Sequence, residues 1–545
     1  MKIAHFGYFL GEGLRKLGHQ VTSLPLCKGA DLQASVTALC PDVDIVLLEL
    51  FGGNFPFVDI TRCTYKLVVY CIDSSINEFW LEHITKLVDH VFVDQKSSVV
   101  PLAKSGIRAS WLPLCVSEAS FREDRPLKYD VSFVGRVDAH RIKRANLLRL
   151  VAKYFPLHTR NDVSAAQMSD IFAESKISLN ENLFPGLTLR ILQGLAAGTV
   201  LFTEADNPDV QELFEDQKDL IYYKPGTLIP RLREVLADYP DYRHIARAGR
   251  ELCRTHHTSE TRAGELLRHI ERDEFANPRR CVAERRFHAA SAEFLFNVRF
   301  GGYIGNVRKT FQEIIETGGT KELTAKAALM LGDMFTRLRR PQDACALYRL
   351  SAENGGGAEP LLRDAIVQCG EKAFAAAVRT LQRAVATLEN SSVGQSTEPA
   401  MEDMSAEQAA FLPQELRNVA AALHDAEENP PDKVSLLLLA ARIFLAMGKA
   451  SILGFLQPSL DEAPGSALAL AFKAWECRNS SEVLDVMITC AKQANVEIEL
   501  LPTLISAIPS CAERKHLLYT AEQAYKSYDN DLAETILVAL RTKSQ

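Results

Sequence analysis

The sequence predicts an α/β half built on two doubly wound parallel sheets, followed by an all-helical half. Three observations predict it. Up to about residue 275, short apolar runs alternate with amphipathic segments, the signature of parallel strands covered by helices. Beyond about residue 276 the strand-like runs stop, and Ala, Leu, Glu and Arg recur at helical spacing almost to Gln545. The 545-residue chain also exceeds the ~250 to 300 residues at which one hydrophobic core stops growing, so several domains are expected.

Residues 3–6, 45–50, 67–72, 90–93, 131–134, 176–179 and 200–203 read as buried strands, with helices such as 13–17 and 146–154 between them. The charged segment Phe121-Arg122-Glu123-Asp124-Arg125-Pro126 separates the strands into two groups, so one lobe spans residues 1–122 and a second 127–275. The helical half divides into repeats over 276–389, a linker over 390–413 that opens with the Ser- and Gly-containing stretch from Asn390 to Pro399, and further helices over 414–545. Its clearest unit is 326–354. There Leu331, Gly332, Phe335, Ala344 and Tyr348 stand at the small and large positions of a tetratricopeptide helix pair. Weaker echoes occur at Ala441, Phe444 and Gly448, at 471–475 and at 521–533. Degenerate tetratricopeptide-like repeats and a plain antiparallel bundle both fit, because any helix crossing needs small residues.

At 47% hydrophobic and 24% charged, the chain has the composition of a globular protein. A net charge of -7 and the lack of any long Lys/Arg run exclude nucleic acid as the main partner. The 12 Cys are scattered without Cys-x-x-Cys or zinc-ligand spacing, and Cys71 and Cys345 sit in apolar runs as small buried groups. The N-terminus opens on a strand-like run rather than a signal peptide, and no 18-residue uncharged apolar stretch exists. A cytoplasmic protein with no transmembrane segment is expected.

Doubly wound sheets bind ligands outside the C-terminal ends of their strands, so the residues after each strand matter most. After the first comes Phe6-Gly7-Tyr8-Phe9-Leu10-Gly11-Glu12-Gly13, whose glycines permit backbone approach to an acceptor at Gly7 and Gly11 or simply form a tight turn. The spacing is not the dinucleotide fingerprint. Asp73, after 67–72, fits a base or a sugar contact, and equally a helix N-cap. In the second lobe, Gly135 and Arg136 end a strand, with Arg141, Lys143 and Arg144 close behind. That cluster fits a diphosphate or a solvated helix start, and the macrodipole disfavours cations there unless an anion joins them. The strongest local pattern is 178–201: strand, Pro-Gly loop, a short helix capped by Thr188 and ended by Gly198, then another strand. Backbone N–H groups around Gly186, Leu187 and Thr188 would point at a phosphate, with Arg190 as countercharge, Asn182 as a further donor contact and Gln193 to reach a ribose. The plain alternative is an ordinary capped helix between two strands.

This stretch resembles the donor-binding segment of group 1-like glycosyltransferases related to the spore-maturation glycosyltransferase family. There a Leu-Thr-x-Arg element precedes a helix of the form Glu-x-Leu-Ala-x-Gly, and Thr188, Arg190, Leu195, Ala196 and Gly198 match it. Glu212-Leu213-Phe214 with Tyr222-Tyr223 resembles the next segment. Asp89 to Val93, Gly106 and Trp111-Leu112-Pro113-Leu114 resemble the end of the first lobe, and Tyr129 to Gly135 with Arg144 and Leu147-Leu148 the start of the second. His257-Thr258-Ser259 with Arg262 resembles the closing segment, where a terminal helix crosses back between lobes. The resemblance covers about half the chain and implies a GT-B fold, with an acceptor-side first lobe and a nucleotide-sugar donor-side second lobe. One departure matters: relatives often carry Glu at Gln193, and retaining enzymes of the wider class carry a second Glu where this chain has Pro185. Glu181 lies four residues too early to replace it simply.

The resulting expectation is a hexosyltransferase moving sugar from a nucleotide diphosphate to a glycan or protein acceptor. Gly135, Arg136, Arg144, Thr188 and Arg190 would stabilise the leaving diphosphate without a metal or other cofactor, and Asp73 is the candidate catalytic group. Cell-envelope or appendage glycosylation is the context the resemblance makes plausible, with the helical half recruiting a protein partner. A different class also fits: a GT-B scaffold without turnover, acting through its helices, which Pro185 and Gln193 favour. A Rossmann oxidoreductase lacks its glycine motif.

Overall fold

The computed structural model of the chain describes residues 1–137, 142–182, 186–272, 276–317, 319–393, 418–424 and 432–447, with scattered positions between 467 and 486. Met1–Arg279 form one compact unit, and the described residues from Arg280 onward form another.

The first lobe runs β1 (Lys2–Phe6), α1 (Gly11–Lys16), β2 (Gln20–Ser23), α2 (Leu32–Leu39), β3 (Ile45–Phe51), β4 (Leu67–Ile72), α3 (Ser74–Thr85), β5 (His90–Val93), α4 (Val99–Lys104) and β6 (Ala109–Trp111). Its strands form one six-stranded sheet in the order β2-β1-β3-β4-β5-β6, with every pair parallel. All six residues of β4 are buried, because helices cover both faces of a parallel sheet and leave no polar side. Ile3 pairs with Ile45 and Val46 with Leu67, which aligns the C-terminal ends of β1, β3, β4 and β5 along one edge.

The second lobe runs β7 (Tyr129–Val134), α5 (Ile142–Tyr154), β8 (Leu157–Arg160), α6 (Ala165–Ala173), β9 (Ser175–Leu179), α7 (Leu189–Ala197), β10 (Val200–Glu204), α8 (Pro208–Leu213), β11 (Ile221–Tyr223), α9 (Pro225–Ala237), α10 (Tyr239–His256) and α11 (Ser259–Glu271). Its five parallel strands lie in the order β11-β10-β9-β7-β8. The two α/β lobes are the doubly wound parallel sheets expected, and the seven strands expected from the sequence are all present.

α11 leaves the second lobe and packs on the first. A side chain at Gly13 on α1 would overlap the backbone carbonyl of Ser259, so glycine there allows the two helices to touch. Ala263, Leu266, Leu267 and Ile270 of α11 share one buried apolar cluster with Ile3, Leu10 and Leu14. The buried Arg262 donates through Nε to the Pro113 carbonyl at 3.0 Å.

The second unit is helical: α12 (Val282–Phe300), α13 (Arg308–Thr317), α14 (Lys321–Arg337), α15 (Pro341–Glu353), α16 (Ala358–Gly370) and α17 (Phe374–Val393), and further on the helix Lys433–Ala446. α14 and α15 pair closely because Gly332 has no side chain: a Cβ there would lie 2.6 Å from the Tyr348 ring. Tyr348 in turn donates its hydroxyl to Asp333 at 2.8 Å, and Ala344 and Phe335 are buried beside it. α17 continues past Asn390 into the linker-like stretch. Ala441 and Phe444 are buried on the helix Lys433–Ala446, while the remaining linker-like residues, Gly448 and 521–533 lie outside the described residues. No helix among the described residues is long and apolar enough to cross a membrane.

Candidate active site

The second lobe presents a cationic corner where β7 and β9 end and α7 begins. Arg190, in the first turn of α7, donates through Nε to the Val134 carbonyl at 2.8 Å and through Nη1 to Asn180 Oδ1 at 2.9 Å. Its guanidinium carbon lies 4.6 Å from the Phe133 ring centroid. A cation is opposed by the dipole at a helix start, so these carbonyl, amide and ring partners hold it there. Gly135 is part of the arrangement, because a Cβ at that position would come within 2.5 Å of Arg190 Nη2. Asn180, which the sequence reading passed over, is the organiser. It is fully buried, donates to Asn182 and Thr203, each at 3.0 Å, and accepts at its carbonyl from the Tyr223 hydroxyl at 2.9 Å. Thr188 occupies the N-cap position of α7 without capping it. Its hydroxyl turns to Asn180 Oδ1 at 3.3 Å, leaving the helix end without a side-chain cap. Gly198 ends α7 in the left-handed conformation, as expected.

Three expected donor contacts, at Gly186, Asn182 and Arg144, are placed differently. The N–H of Gly186 does not face a ligand: Asn207 Oδ1 accepts from it at 3.1 Å while Asn207 Nδ2 donates to the Gly186 carbonyl at 2.8 Å. The Leu187 side chain belongs to the core, which leaves the contact expected of its backbone N–H untouched. Asn182 is pinned by its N–H to Glu204 at 2.8 Å and its amide to Asp206 at 3.3 Å. Arg144 is a buried group, not a cleft group: Glu181 accepts from its Nε at 2.7 Å, and the Arg136 carbonyl from its Nη1 at 2.9 Å. Each side chain of that pair is 2% exposed. Arg136 itself is exposed, and Gln193 is buried one turn along α7 from Arg190. Arg141 and Pro185 lie outside the described residues.

On the first lobe the structure corrects the expectation at Gly7 and Gly11. The N–H groups of Tyr8, Phe9 and Leu10 converge as an anion nest would, but the Glu49 carboxylate fills it, accepting at 2.5, 2.7 and 2.7 Å. His5 Nε2 lies 3.0 Å from the same carboxylate. A side chain at Gly7 would overlap Glu49, and a Cβ at Gly11 would meet the His5 ring at 2.9 Å. Both glycines make room for the protein's own side chains, so the acceptor assignment to them does not stand.

The remaining strand ends of the first lobe form a polar edge. Asp73 is left-handed (φ 54°) and makes no side-chain cap on α3, so the cap role is also corrected. The strain is held by Asp94, just past β5, which accepts from Asp73 N at 2.8 Å, Ser74 N at 3.0 Å and Ser74 Oγ at 2.8 Å. Burial pushes the Asp94 carboxyl up to about 7, with the neighbouring Asp73 charge adding to the rise against those three hydrogen bonds. Next along, Gln95 packs against Gly186 of the second lobe, where a Cβ would fall 2.7 Å from Gln95 Cγ. Lys96 N donates to Asp209 at 3.0 Å and Lys96 Nζ to Glu212 at 2.6 Å. The edge carrying Asp73 thus meets the segment carrying Gly186 and α8. Asp94, Gln95, Asn180 and Asn207 were all missed from sequence. The signal was position: Asp94 and Asn180 are the first residues after their strands, and Asn207 caps α8.

Residues 127–268, the second lobe with most of α11, match the family described as glycosyl transferase-like. No curated protein matches the chain. Among solved structures the chain is similar to a sucrose-phosphate synthase from Thermosynechococcus elongatus, at 11% identity over 50% of this chain and 99% of that one, with a TM-score of 0.36. It is similar to HepE of Anabaena in complex with UDP and glucose, at 10% identity over 50% and 100% of the two chains and a TM-score of 0.34. A glycosyltransferase from Rickettsia africae shares 11% identity over 50% and 89%, with a TM-score of 0.35.

Proposed function

We propose that the Met1–Arg279 unit is a cytoplasmic glycosyltransferase that moves a sugar, of hexosyl type, from a nucleotide diphosphate to a glycan or protein acceptor. The observation that carries this reading is Arg190, held over Phe133 beside Gly135 at the start of a helix with no side-chain cap. A fixed cation and a helix N-terminus at the end of a parallel sheet suit a diphosphate. As the bond from the sugar's anomeric carbon to the diphosphate breaks, negative charge grows on the leaving oxygen. Arg190, with the exposed Arg136, stabilises that charge, so the reaction needs no metal. The acceptor hydroxyl attacks the anomeric carbon, and Asp73 on the opposite lobe takes its proton. The helical half, read as tetratricopeptide-like repeats, recruits the acceptor or a partner protein.

A second reading, a GT-B scaffold without turnover, is favoured by two placements. Arg144 is committed to Glu181, and the Gly186 N–H is committed to Asn207. Calorimetric titration of the full chain with UDP, GDP, CMP and dTDP, repeated on Arg190→Ala, separates the two. Micromolar binding of one nucleotide that the variant loses supports the donor site. A folded wild type that binds none at millimolar concentration removes it.

A further inference from the structure

The polar edge of the first lobe carries two groups with nothing to bond to. Gln95 is fully buried, and its Nε2 has no hydrogen-bond partner; the Oγ of the neighbouring Ser75 is also buried and unpaired. Ser75 N donates to Gln95 Oε1 at 3.3 Å, which turns the amide nitrogen away from α3. That nitrogen lies 3.4 Å from where a Cβ on Gly186 would be, so it is aimed across at the second lobe, beside the segment that leads into α7. Nearly all buried polar groups in folded proteins are satisfied, so an open amide and an open hydroxyl on two residues joined by that hydrogen bond point to a ligand that completes them.

We propose that Gln95 and Ser75 form a subsite for the hydroxyl groups of the transferred sugar, closed on the far side by Gly186. This rests on the donor reading above. The chemistry selects a neutral, oxygen-rich ligand. Asp94 is next in sequence to Gln95, and Asp73 lies two residues before Ser75, so this stretch of the edge supplies carboxyl groups rather than a countercharge for phosphate. Lys96, the nearest cation in sequence, is drawn away to Glu212. An amide NH2 and a hydroxyl together offer donors and an acceptor, the complement of adjacent ring hydroxyls. In this arrangement Arg190 and α7 hold the diphosphate, while the first lobe reads the sugar.

The test compares nucleotides with the corresponding nucleotide sugars by calorimetry on the full chain: UDP against UDP-glucose, GDP against GDP-mannose and dTDP against dTDP-glucose. For the pair that binds, Gln95→Ala is expected to weaken the sugar-bearing ligand about tenfold while leaving the bare nucleotide within about twofold, and Ser75→Ala to act in the same direction. Should Gln95→Ala fail to fold, Gln95→Met and Ser75→Ala carry the comparison. Equal losses for nucleotide and nucleotide sugar, no change in either, or a wild type for which the sugar adds no affinity each overturn the subsite. A wild type that binds no nucleotide at all instead removes the donor reading on which it rests.

Discussion

Arg144 and Glu181 face each other at 2.7 Å with both side chains sealed from solvent, one on α5 and the other just beyond β9. A buried ion pair contributes little over an apolar replacement, but breaking one side strands the other charge. Arg144→Ala should therefore destabilise the protein by about 3 to 5 kcal/mol. Arg144→Met with Glu181→Leu should recover most of that loss. Denaturant melts of the three proteins measure it, and a double variant no better than the single one refutes the account.

Glu49 closes the turn after β1 from inside. Glu49→Ala would leave the N–H groups of Tyr8, Phe9 and Leu10 without their acceptor, at a cost of about 1 to 3 kcal/mol for each one left buried and unpaired. Gly7→Ala should fail for a different reason, since its methyl would overlap that carboxylate. Combining the two should cost less than the sum of the single variants, a coupling that a thermodynamic cycle reads directly.

In the helical unit, Gly332→Val should separate α14 from α15 by pushing on the Tyr348 ring, costing about 1 to 3 kcal/mol. Nucleotide binding at the proposed donor site, which lies in the other unit, should stay unchanged in calorimetry. A parallel loss of nucleotide binding would show that the units do not fold independently.

Two buried groups give stability opposite dependences on pH. His257 accepts at Nδ1 from Arg262 at 2.6 Å, and burial, together with the Arg262 charge, lowers it to about 3. An unfolded histidine protonates near ~6.5, so this contribution is complete above that pH and is lost as pH falls from there towards 3. Asp94 keeps its proton in the fold up to about 7 but releases it near ~3.9 when unfolded. Its contribution is present below that lower value and lost as pH rises through 7. Thermal melts of His257→Asn should lose less stability than wild type between pH 6.5 and 5. Those of Asp94→Asn should lose less between pH 5 and 7.5. Parallel curves for variant and wild type would contradict either assignment.

The exposed pair Lys96 and Glu212 should matter far less. Both side chains are about half in solvent, so Glu212→Gln should change the melting free energy by no more than about 1 kcal/mol. A larger loss in denaturant titration would mean that the pair fastens the two lobes together.

What the sequence revealed of the fold follows a physical line. All seven expected strands are present, and the four it missed, β2, β6, β8 and β11, are the outer strands of the two sheets. An outer strand is half covered, and short ones such as Gln20–Ser23 and Leu157–Arg160 mix polar with apolar residues, so they carry no continuous apolar run. The candidate site was legible where one residue's chemistry settles its place, as with Arg190 at a helix start. It was not legible where the partner is distant in sequence. That Asn207 would take the Gly186 backbone, Glu181 the Arg144 guanidinium and Glu49 the turn at Gly7 depends on which strand ends are neighbours, and one-dimensional spacing does not state that. A glycine read as room for a ligand is equally room for the protein itself.

The seating of α11 on α1 bears on how the molecule is made. Ala263, Leu266, Leu267 and Ile270 complete an apolar surface whose other members begin at Ile3, so the lobe synthesised first is finished by residues that emerge last from the α/β half. A chain translated only as far as the end of the second-lobe sheet lacks the α11 residues that share this cluster with Leu10 and Leu14. A nascent chain halted before Ser259 would therefore expose that surface to chaperones and to other unfinished copies of itself.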